Sequence, residues 1–474
     1  MTGLFDQEPS AAPSALGAGL DDDFELVSGW GGTAATASHV SHPTNPAELV
    51  KAGLDAGPRG VIARGLGRAY GDAAMNAGGR VIDATGVSGV LDLDPATGIV
   101  RALAGTSLDD LMRVSVPQGW FPHVTPGTKF VTLGGAIASD VHGKDHHAAG
   151  TFGSHVSSIV LGLPDGTSRT LTPEATPDEF WATCGGMGLT GTIVEATIAL
   201  RPIETSLLAV DTDRAPDLDS LLAQLTEGES RYRASAAWID LLARGRNLGR
   251  SVLYQGDFAT RDQLEADRGG KVGDPLAYDP PPLLPAPPVP SGLLNRYTVR
   301  AFNELWFRKE PKHRSGELQT ITKFYYPLDM IDRWNRLYGA KGFLQWQCLV
   351  PYGEETVLRS VIEAISGNRT ASFLAVLKRF GPANPGPLSF PAPGWTVALD
   401  IPAGDRSLAE LLCRLDRQIA DCGGRVYLAK DSVLHPDLVP TMYPRLDEWR
   451  ATRDRLDPDH HLVSDLARRL RLLA

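Results

Sequence analysis

Residues 125–156 read TPGTKFVTLGGAIASDVHGKDHHAAGTFGSHV, and the reading of this stretch decides the fold. Gly127, Gly134, Gly135, Gly143, Gly150 and Gly153 are interspersed with His142, His146, His147 and His155. Glycine lacks a Cβ, so its N–H can approach a ligand closely and its backbone can turn at positive φ. Successive bare N–H groups form concave anion sites suited to a pyrophosphate. Two more clusters flank the stretch, VIARGLGRAYGD at 61–72 and CGGMGLTGTI at 184–193. Between Gly60 and Gly191 lie 23 of the 50 glycines, so three turns are expected to grip one long, phosphate-bearing ligand of dinucleotide size. The first turn, Gly65 to Gly71, is not the fingerprint of a doubly wound nucleotide fold. Its third glycine comes one residue late and no amphipathic helix follows.

A chain of 474 residues is too long for one core, so two domains are expected. Hydrophobic and charged contents of 42% and 22% are those of a soluble globular protein. A net charge of −10 argues against a nucleic-acid binder, which needs a basic face. Cys184, Cys348, Cys413 and Cys422 form no C-x-x-C pair, which excludes a disulfide scaffold and offers no zinc site. The N-terminal residues show neither the charged nor the apolar region of a signal peptide, and no run of eighteen apolar residues is present. A cytoplasmic location follows from these patterns.

Residues 1–20, rich in Ala, Ser, Pro and Gly, read as disordered. Val61–Ala63 is a buried strand feeding the first glycine turn, and Pro46–Ala56 a short helix before it. From Arg80 to Leu103 alternation with turn signals predicts antiparallel hairpins, and Ser157–Leu171 predicts another around Pro164-Asp165-Gly166. Ser107 caps a short helix, and Thr192–Leu200 is a strand. A boundary falls near residue 206, where glycine thins. Beyond it, strands are predicted over 234–241, 318–324, 343–350, 371–380 and 395–401, with helices over 217–225, 354–365 and 406–422. An antiparallel sheet with helices on one face is the economical arrangement. Pro275–Pro290 holds eight prolines in sixteen residues and must be a loop or lid. Arg425–Lys430 reads as a strand ending at Lys430-Asp431-Ser432, followed by closing helices.

The spacing of His142, His146 and His147 invites a metal reading, but the flanking glycines oppose a helix and no HExxH is present, so no metal is expected. Residues 295–314 mix Tyr297, Phe302, Trp306 and Phe307 with six Lys/Arg residues. That mixture suits a membrane surface or a lipid phosphate, and equally a core helix with a solvated face.

The blocks ARGLGRAYGD (63–72), TPGTKFVTLGGAIASDVHGKDHHAAGTFGSHV (125–156) and GGMGLTGTI (185–193) resemble the PCMH-type FAD-binding domain of the vanillyl-alcohol oxidase superfamily. Within it, DVHGK (140–144) and KDS (430–432) resemble the family of actinobacterial decaprenylphosphoryl-β-D-ribose 2′-oxidases, the flavoprotein half of a 2′-epimerase. The likeness runs from about Gly29 to the C-terminus. It implies an α+β fold with an FAD-binding domain over 21–206, a substrate domain over 207–424 carrying a flexible proline-rich loop at 270–292, and a return to the FAD domain over 425–474.

The resemblance implies non-covalently held FAD. It assigns to the cofactor Arg64, Gly65, Leu66, Gly67, Arg68, Ala69 and Tyr70 from the first turn. Gly127, Thr128, Gly135, Ala138, Ser139, His142 and Gly143 come from the second turn, Gly188, Gly191 and Ile193 from the third, and Tyr427 and Lys430 from the C-terminal return. His142 lines the isoalloxazine, and Lys430 is the cation beside the ring that raises its oxidising power. A base must take the hydroxyl proton, and Tyr70, Lys144 and Lys378 are the candidates by matched position. Trp238, Tyr325, Gln345, Gln347, Thr396 and Ala398 join Lys144 and Lys378 as substrate-site residues. At Ala398 the family often has a cysteine, the residue that nitroaromatic inhibitors capture.

The implied reaction oxidises the 2′-hydroxyl of decaprenylphosphoryl-β-D-ribofuranose, and a separate NADH-dependent reductase completes the epimerisation that feeds cell-wall arabinan synthesis. The implied location is peripheral to the plasma membrane or in the envelope. Alternatives are an alditol or aldonolactone oxidase of the same fold, and a non-catalytic FAD-binding scaffold.

Overall fold

A computed structural model describes residues 24–473 except 271–272, 282, 287–294, 369–371, 373 and 405. The N-terminal segment expected to be disordered, and part of the proline-rich loop, lie outside the described residues. Within them the chain folds as a two-domain α+β protein.

The first sheet contains β1 (Phe24–Ser28), β2 (Ala35–Ser41), β3 (Val61–Arg64) and β4 (Arg80–Asp83) in the order β1-β2-β4-β3. β4 runs parallel to both β2 and β3, so the hairpin expectation fails for it. The glycine turn after Arg64 returns the chain as a crossover, which leaves the two strands pointing the same way. The second sheet contains β5 (Val90–Leu93), β6 (Ile99–Leu103), β7 (Trp120–Pro122), β8 (Val156–Gly162), β9 (Ser168–Leu171) and β10 (Thr192–Pro202). All its pairings are antiparallel, including the hairpins predicted from Val90 onward and around Asp165.

The remaining strands are β11 (Leu207–Ala215), β12 (Ala234–Ile239), β13 (Ser251–Phe258), β14 (Leu284–Pro285), β15 (His313–Thr320), β16 (Ile331–Asp332), β17 (Phe343–Pro351), β18 (Ala375–Phe380), β19 (Gly394–Pro402) and β20 (Arg425–Val426). Eight of them form an antiparallel sheet in the order β15-β11-β13-β12-β18-β19-β17-β20. β14, from the proline-rich stretch, pairs only with β16. Strand periodicity of two divides the large sheet by face. Ala237, Trp346, Leu377, Val397 and Leu399 pack into one core with Leu358 and Ile362 of the Glu355–Gly367 helix and Leu412 and Leu415 of the Arg406–Asp421 helix. Truncating a fully buried leucine such as Leu412 to alanine would cost roughly 2–5 kcal/mol. Trp238, Gln345, Lys378 and Ala398 fall on the opposite face.

The 371–380 strand begins at Ala375 and the 234–241 strand ends at Ile239, and two other expected strands end four residues early. The 318–324 strand stops at Thr320, whose hydroxyl accepts the N–H of Lys323 at 3.2 Å and caps a helix over Ile321–Tyr325. The 425–430 strand stops at Val426, because the N–H of Lys430 turns back to the carbonyl of Tyr427 at 2.9 Å in a 3₁₀ turn. Lys430 therefore reaches the interior on a turn.

The C-terminal helix Asp465–Arg469 fixes that turn. Arg469 donates to both carboxylate oxygens of Asp72 and to Oδ2 of Asp431, each at 2.8 Å. It thereby ties the first glycine turn to the residue after Lys430. Asp431 is fully buried and its other oxygen accepts the N–H groups of Val433 and Leu434, at 2.9 and 2.8 Å. Arg469→Ala is expected to cost about 2 kcal/mol, the range for hydrogen bonds to charged groups, and to lower the thermal midpoint. Arg469→Lys should recover only part of the loss, since one ammonium cannot reproduce the fork. Differential scanning calorimetry of the three proteins checks this.

Candidate functional site

A cavity of about 1000 Å³ lies between the glycine turns and the open face of the large sheet. This is at the upper end for small-molecule sites. Every residue assigned above to the cofactor lines it, from Arg64 through Tyr70 to Tyr427 and Lys430. So do Lys144, Trp238, Tyr325, Gln345, Lys378 and Ala398. Gln347 and Thr396 do not. They stand one layer behind, where the Gln347 amide meets Nε2 of His142 at 2.8 Å and Oγ1 of Thr396 at 2.9 Å. Thr396 in turn donates to the carbonyl of Cys348 at 2.8 Å, which fixes the chain of contacts that orients the imidazole.

Backbone bonds tie the first glycine turn to the C-terminal return and the second turn to the third. The N–H of Tyr70 reaches the carbonyl of Ala429 at 3.0 Å, and that of Met187 reaches the carbonyl of Ala138 at 2.8 Å. Tyr427 donates its hydroxyl to the carbonyl of Ser139 at 2.7 Å. At Gly65 a Cβ would stand 2.2 Å from Oγ1 of Thr132, the oxygen that caps the Leu133–Ala138 helix by accepting the N–H of Gly135. At Gly191 φ is +157° and a Cβ would meet the side chain of Leu161 at 2.5 Å. Both sites demand glycine. Arg64 is occupied structurally, donating to the carbonyls of Ser28 and Ala74 at 2.7 and 3.1 Å. Arg68 stacks on Trp30 with its guanidinium 3.7 Å from the ring centroid, and its Nε has no protein partner.

The histidines separate in role. His146 accepts the N–H of Gly381 at 3.1 Å, and His147 bonds the carbonyl of Tyr232 at 2.7 Å. Only His142 faces the cavity, with Nδ1 buried and unpartnered. Burial, then the Lys378 and Lys430 cations, hold its imidazole well below its ordinary pKa, so it is neutral. Among the described residues no cluster of three metal-ligating side chains occurs.

Three half-buried lysines converge on the cavity. Burial pulls Lys430 down to about 8, with Asp400 opposing. It pulls Lys378 to about 7, helped by Lys430 and Lys144, and Lys144 to about 8 against the pull of Asp145. Lys144 donates to the carbonyl of Phe324 and stands over the Phe324 ring. Tyr70 keeps its proton, raised well above the usual range by burial and then by Asp400.

Asp400 is a site residue the sequence reading missed. It is fully buried and raised to about 7 by burial, and it accepts from Gln345 and, at 3.3 Å, from Tyr338. The signal was present, because Thr396, Ala398 and Asp400 share one strand face at period two. Asp145 was missed too. It is fully buried, raised to about 7 by burial, and receives a bond of 3.4 Å from the hydroxyl of Tyr325.

These residues fit an FAD. The glycine turns leave no room for side chains at their closest points, unpartnered polar atoms of Arg68 and His142 border the cavity, and the Lys430 side chain lines it. Residues 37–172 match the FAD binding domain family. The decaprenylphosphoryl-β-D-ribose oxidase of Mycolicibacterium smegmatis is 46% identical over 452 residues, 94% of this chain and 97% of that protein. An uncharacterized protein of Streptomyces coelicolor is 40% identical over 376 residues, 77% of this chain and 100% of its own length. Cytokinin dehydrogenase 4 of Arabidopsis thaliana is 27% identical over 170 residues, 34% of this chain and 30% of that protein. Fold, cavity and family match together define an FAD-dependent oxidoreductase. Within that class, the chain belongs to the decaprenylphosphoryl-β-D-ribose oxidase family.

Two outcomes follow from the geometry. Gly65→Ala must displace the Thr132 cap and is expected to purify with less than half the flavin of the parent, measured as flavin absorbance per mole of protein. Ala398 is 9% exposed at the cavity wall and carries no nucleophile. Peptide mass mapping after treatment with a nitroaromatic electrophile or a small maleimide should find no adduct over residues 394–402, while Ala398→Cys should acquire one.

Proposed function

We propose that the protein oxidises the 2′-hydroxyl of decaprenylphosphoryl-β-D-ribofuranose to the 2′-keto sugar, the first half of an epimerisation to the arabinose used in cell-wall arabinan. A separate NADH-dependent reductase completes the conversion, and the oxidase works peripherally at the plasma membrane. Residues 21–206 and 425–474 hold the cofactor, and 207–424 hold the sugar. The observation that carries this reading is the convergence of Lys144, Lys378 and Lys430 on one cavity. That arrangement suits a substrate bearing a phosphate and a reaction that builds negative charge.

FAD, when bound, supplies the two-electron acceptor for the hydride leaving C2′. Lys430 places a cation on the cavity lining near Tyr70, with its ammonium 5.8 Å from the ring centroid. His142, held by Gln347, offers a neutral, oriented imidazole to the same cavity. Lys378 takes the hydroxyl proton. Its pKa near 7 keeps a neutral amine populated at neutral pH, which is what a base requires. Tyr70 holds its proton too tightly for that task, and the ammonium of Lys144 is engaged by Phe324. Gln345, anchored by Asp400, is placed to hydrogen-bond the sugar.

The sign of the pH dependence follows from these values. Lys378 must be neutral, so kcat rises as pH passes upward through about 7. Lys430 and Lys144 must be charged, so the rate per bound substrate and the affinity for the phosphate fall above about 8. A bell-shaped profile is expected. Lys378→Met should lower kcat by roughly 10²–10⁴, the usual worth of a general base, and remove the acid limb. Anaerobic bleaching of the flavin by the prenylphosphoryl ribose, compared with free polyols, tests the substrate. Bleaching by polyols alone would point to an alditol oxidase, and bleaching by neither would leave a scaffold.

A further inference from the structure

The Arg296–Lys309 helix takes no part in the oxidation described above, yet it forms one wall of the cavity mouth. Its attachment is narrow. Only Val299 and Asn303 are buried, and Asn303 donates to Oδ1 of Asp240 at 2.6 Å. Arg250 bridges Asp240 and Glu304, each at 2.7 Å, and clamps the same face.

On the cavity side Phe302 and Trp306 lie one turn apart with ring centroids 5.9 Å apart, and both line the cavity. Leu305 sits between them in sequence, on the adjoining face of the helix, and is 70% exposed, as is Tyr297. Apolar side chains thus extend from the cavity lining round to the exposed side of the helix. Among the described residues, six of the twelve exposed large apolar side chains lie between Leu283 and Met330, in about a tenth of the chain. Met330 also lines the cavity. Charge concentrates at the same place. Between Asn295 and Lys323 there are seven Lys/Arg residues and three Glu, in a chain whose net charge is −10. Lys309, Arg314 and Lys323 line the cavity there together with Glu310 and Glu317, and Glu317 pairs with Arg314 and Lys323 at 3.1 Å each, which leaves a net positive charge of one among these five.

We propose that this face seats on an anionic lipid bilayer, and that the substrate's polyprenyl tail leaves the cavity past Phe302 and Trp306 directly into it. The inference rests on the lipid-linked substrate proposed above and names the surface that delivers it. The geometry removes a physical difficulty. An isoprenoid chain drawn into water would expose its whole apolar length, whereas a mouth lined by aromatic rings and opening onto the bilayer lets only the sugar phosphate leave the headgroup region. Exposed aliphatic and aromatic side chains supply the insertion, and the surrounding Lys and Arg supply attraction to anionic headgroups.

Flotation of the full-length, flavin-loaded protein with vesicles of phosphatidylglycerol and phosphatidylcholine tests this. The parent is expected to float with phosphatidylglycerol-containing vesicles and at least tenfold less with phosphatidylcholine alone. Tyr297→Glu/Leu305→Glu should lose vesicle binding at least tenfold, and Arg300→Glu/Lys312→Glu, at two exposed positions off the cavity lining, should lose it in a salt-sensitive way. Neither pair should alter the thermal midpoint, or the bleaching rate with a short-chain, water-soluble prenylphosphoryl ribose.

Failure of the parent to bind phosphatidylglycerol vesicles, or undiminished binding by Tyr297→Glu/Leu305→Glu, overturns the proposal. So does an oligomer in the parent that dissociates in that variant, which would assign the face to a second copy of the chain. Vesicle binding without bleaching by any prenylphosphoryl ribose would keep the bilayer seat and reject the oxidase reading.

Discussion

An ammonium group withdrawn from water resists carrying its charge, and this fold places three of them around one cavity. Among the described residues neither Lys378 nor Lys430 has an ion-pair partner, and Lys144 bonds a backbone carbonyl. Their pKa values fall to about 7 and 8 as a result. Packing alone would not favour such an arrangement. It is held because the surrounding structure over-determines it. Asp400, Gln345 and Tyr338 form a buried network behind Lys430, and Arg469 pins the turn that carries it. An anion entering the cavity would restore the charge of the lysines it meets, so ligand binding and protonation are coupled.

The large sheet makes this arrangement rigid. Along β17 and β18 the inward Gln345, Gln347 and Lys378 alternate with Trp346, Cys348 and Leu377, which pack into the helix-covered core on the opposite face. A one-residue slip in β18 would turn Lys378 into the helix layer and Leu377 into the cavity. The glycine turns approach from the other side, joined to the sheet by the Tyr70–Ala429 and Tyr427–Gln347 backbone bonds. Cofactor side and substrate side are therefore fixed to each other by Tyr427 and Ala429, the residues that lead into Lys430.

Much of this was legible in the sequence because it depends on local rules. Glycine clusters mark close backbone approach, and the strand-like runs at 234–241, 343–350 and 395–401 located β12, β17 and β19. What was not legible depended on chain reversal and on partners distant in sequence. β4 looks like a hairpin strand but is reached by a crossover. The run from Leu318 to Phe324 keeps strand-like composition while the Thr320 cap turns it into a helix. Lys430 was expected on a strand, and its 3₁₀ turn follows from Arg469, thirty-nine residues away. Asp400 was overlooked because a single acid in an apolar strand resembles an edge residue. Its burial shows only once Gln345 and Tyr338 are brought to it.

The most direct measurement of this account is the midpoint potential of the bound flavin in the parent protein and in Lys430→Met, taken at pH 7 by anaerobic titration. If the Lys430 ammonium stabilises the reduced ring, the variant retains its flavin and its potential falls by about 30 mV or more, a tenfold change for a two-electron couple. An unchanged potential in a variant that still binds flavin stoichiometrically would contradict the central role given to that cation.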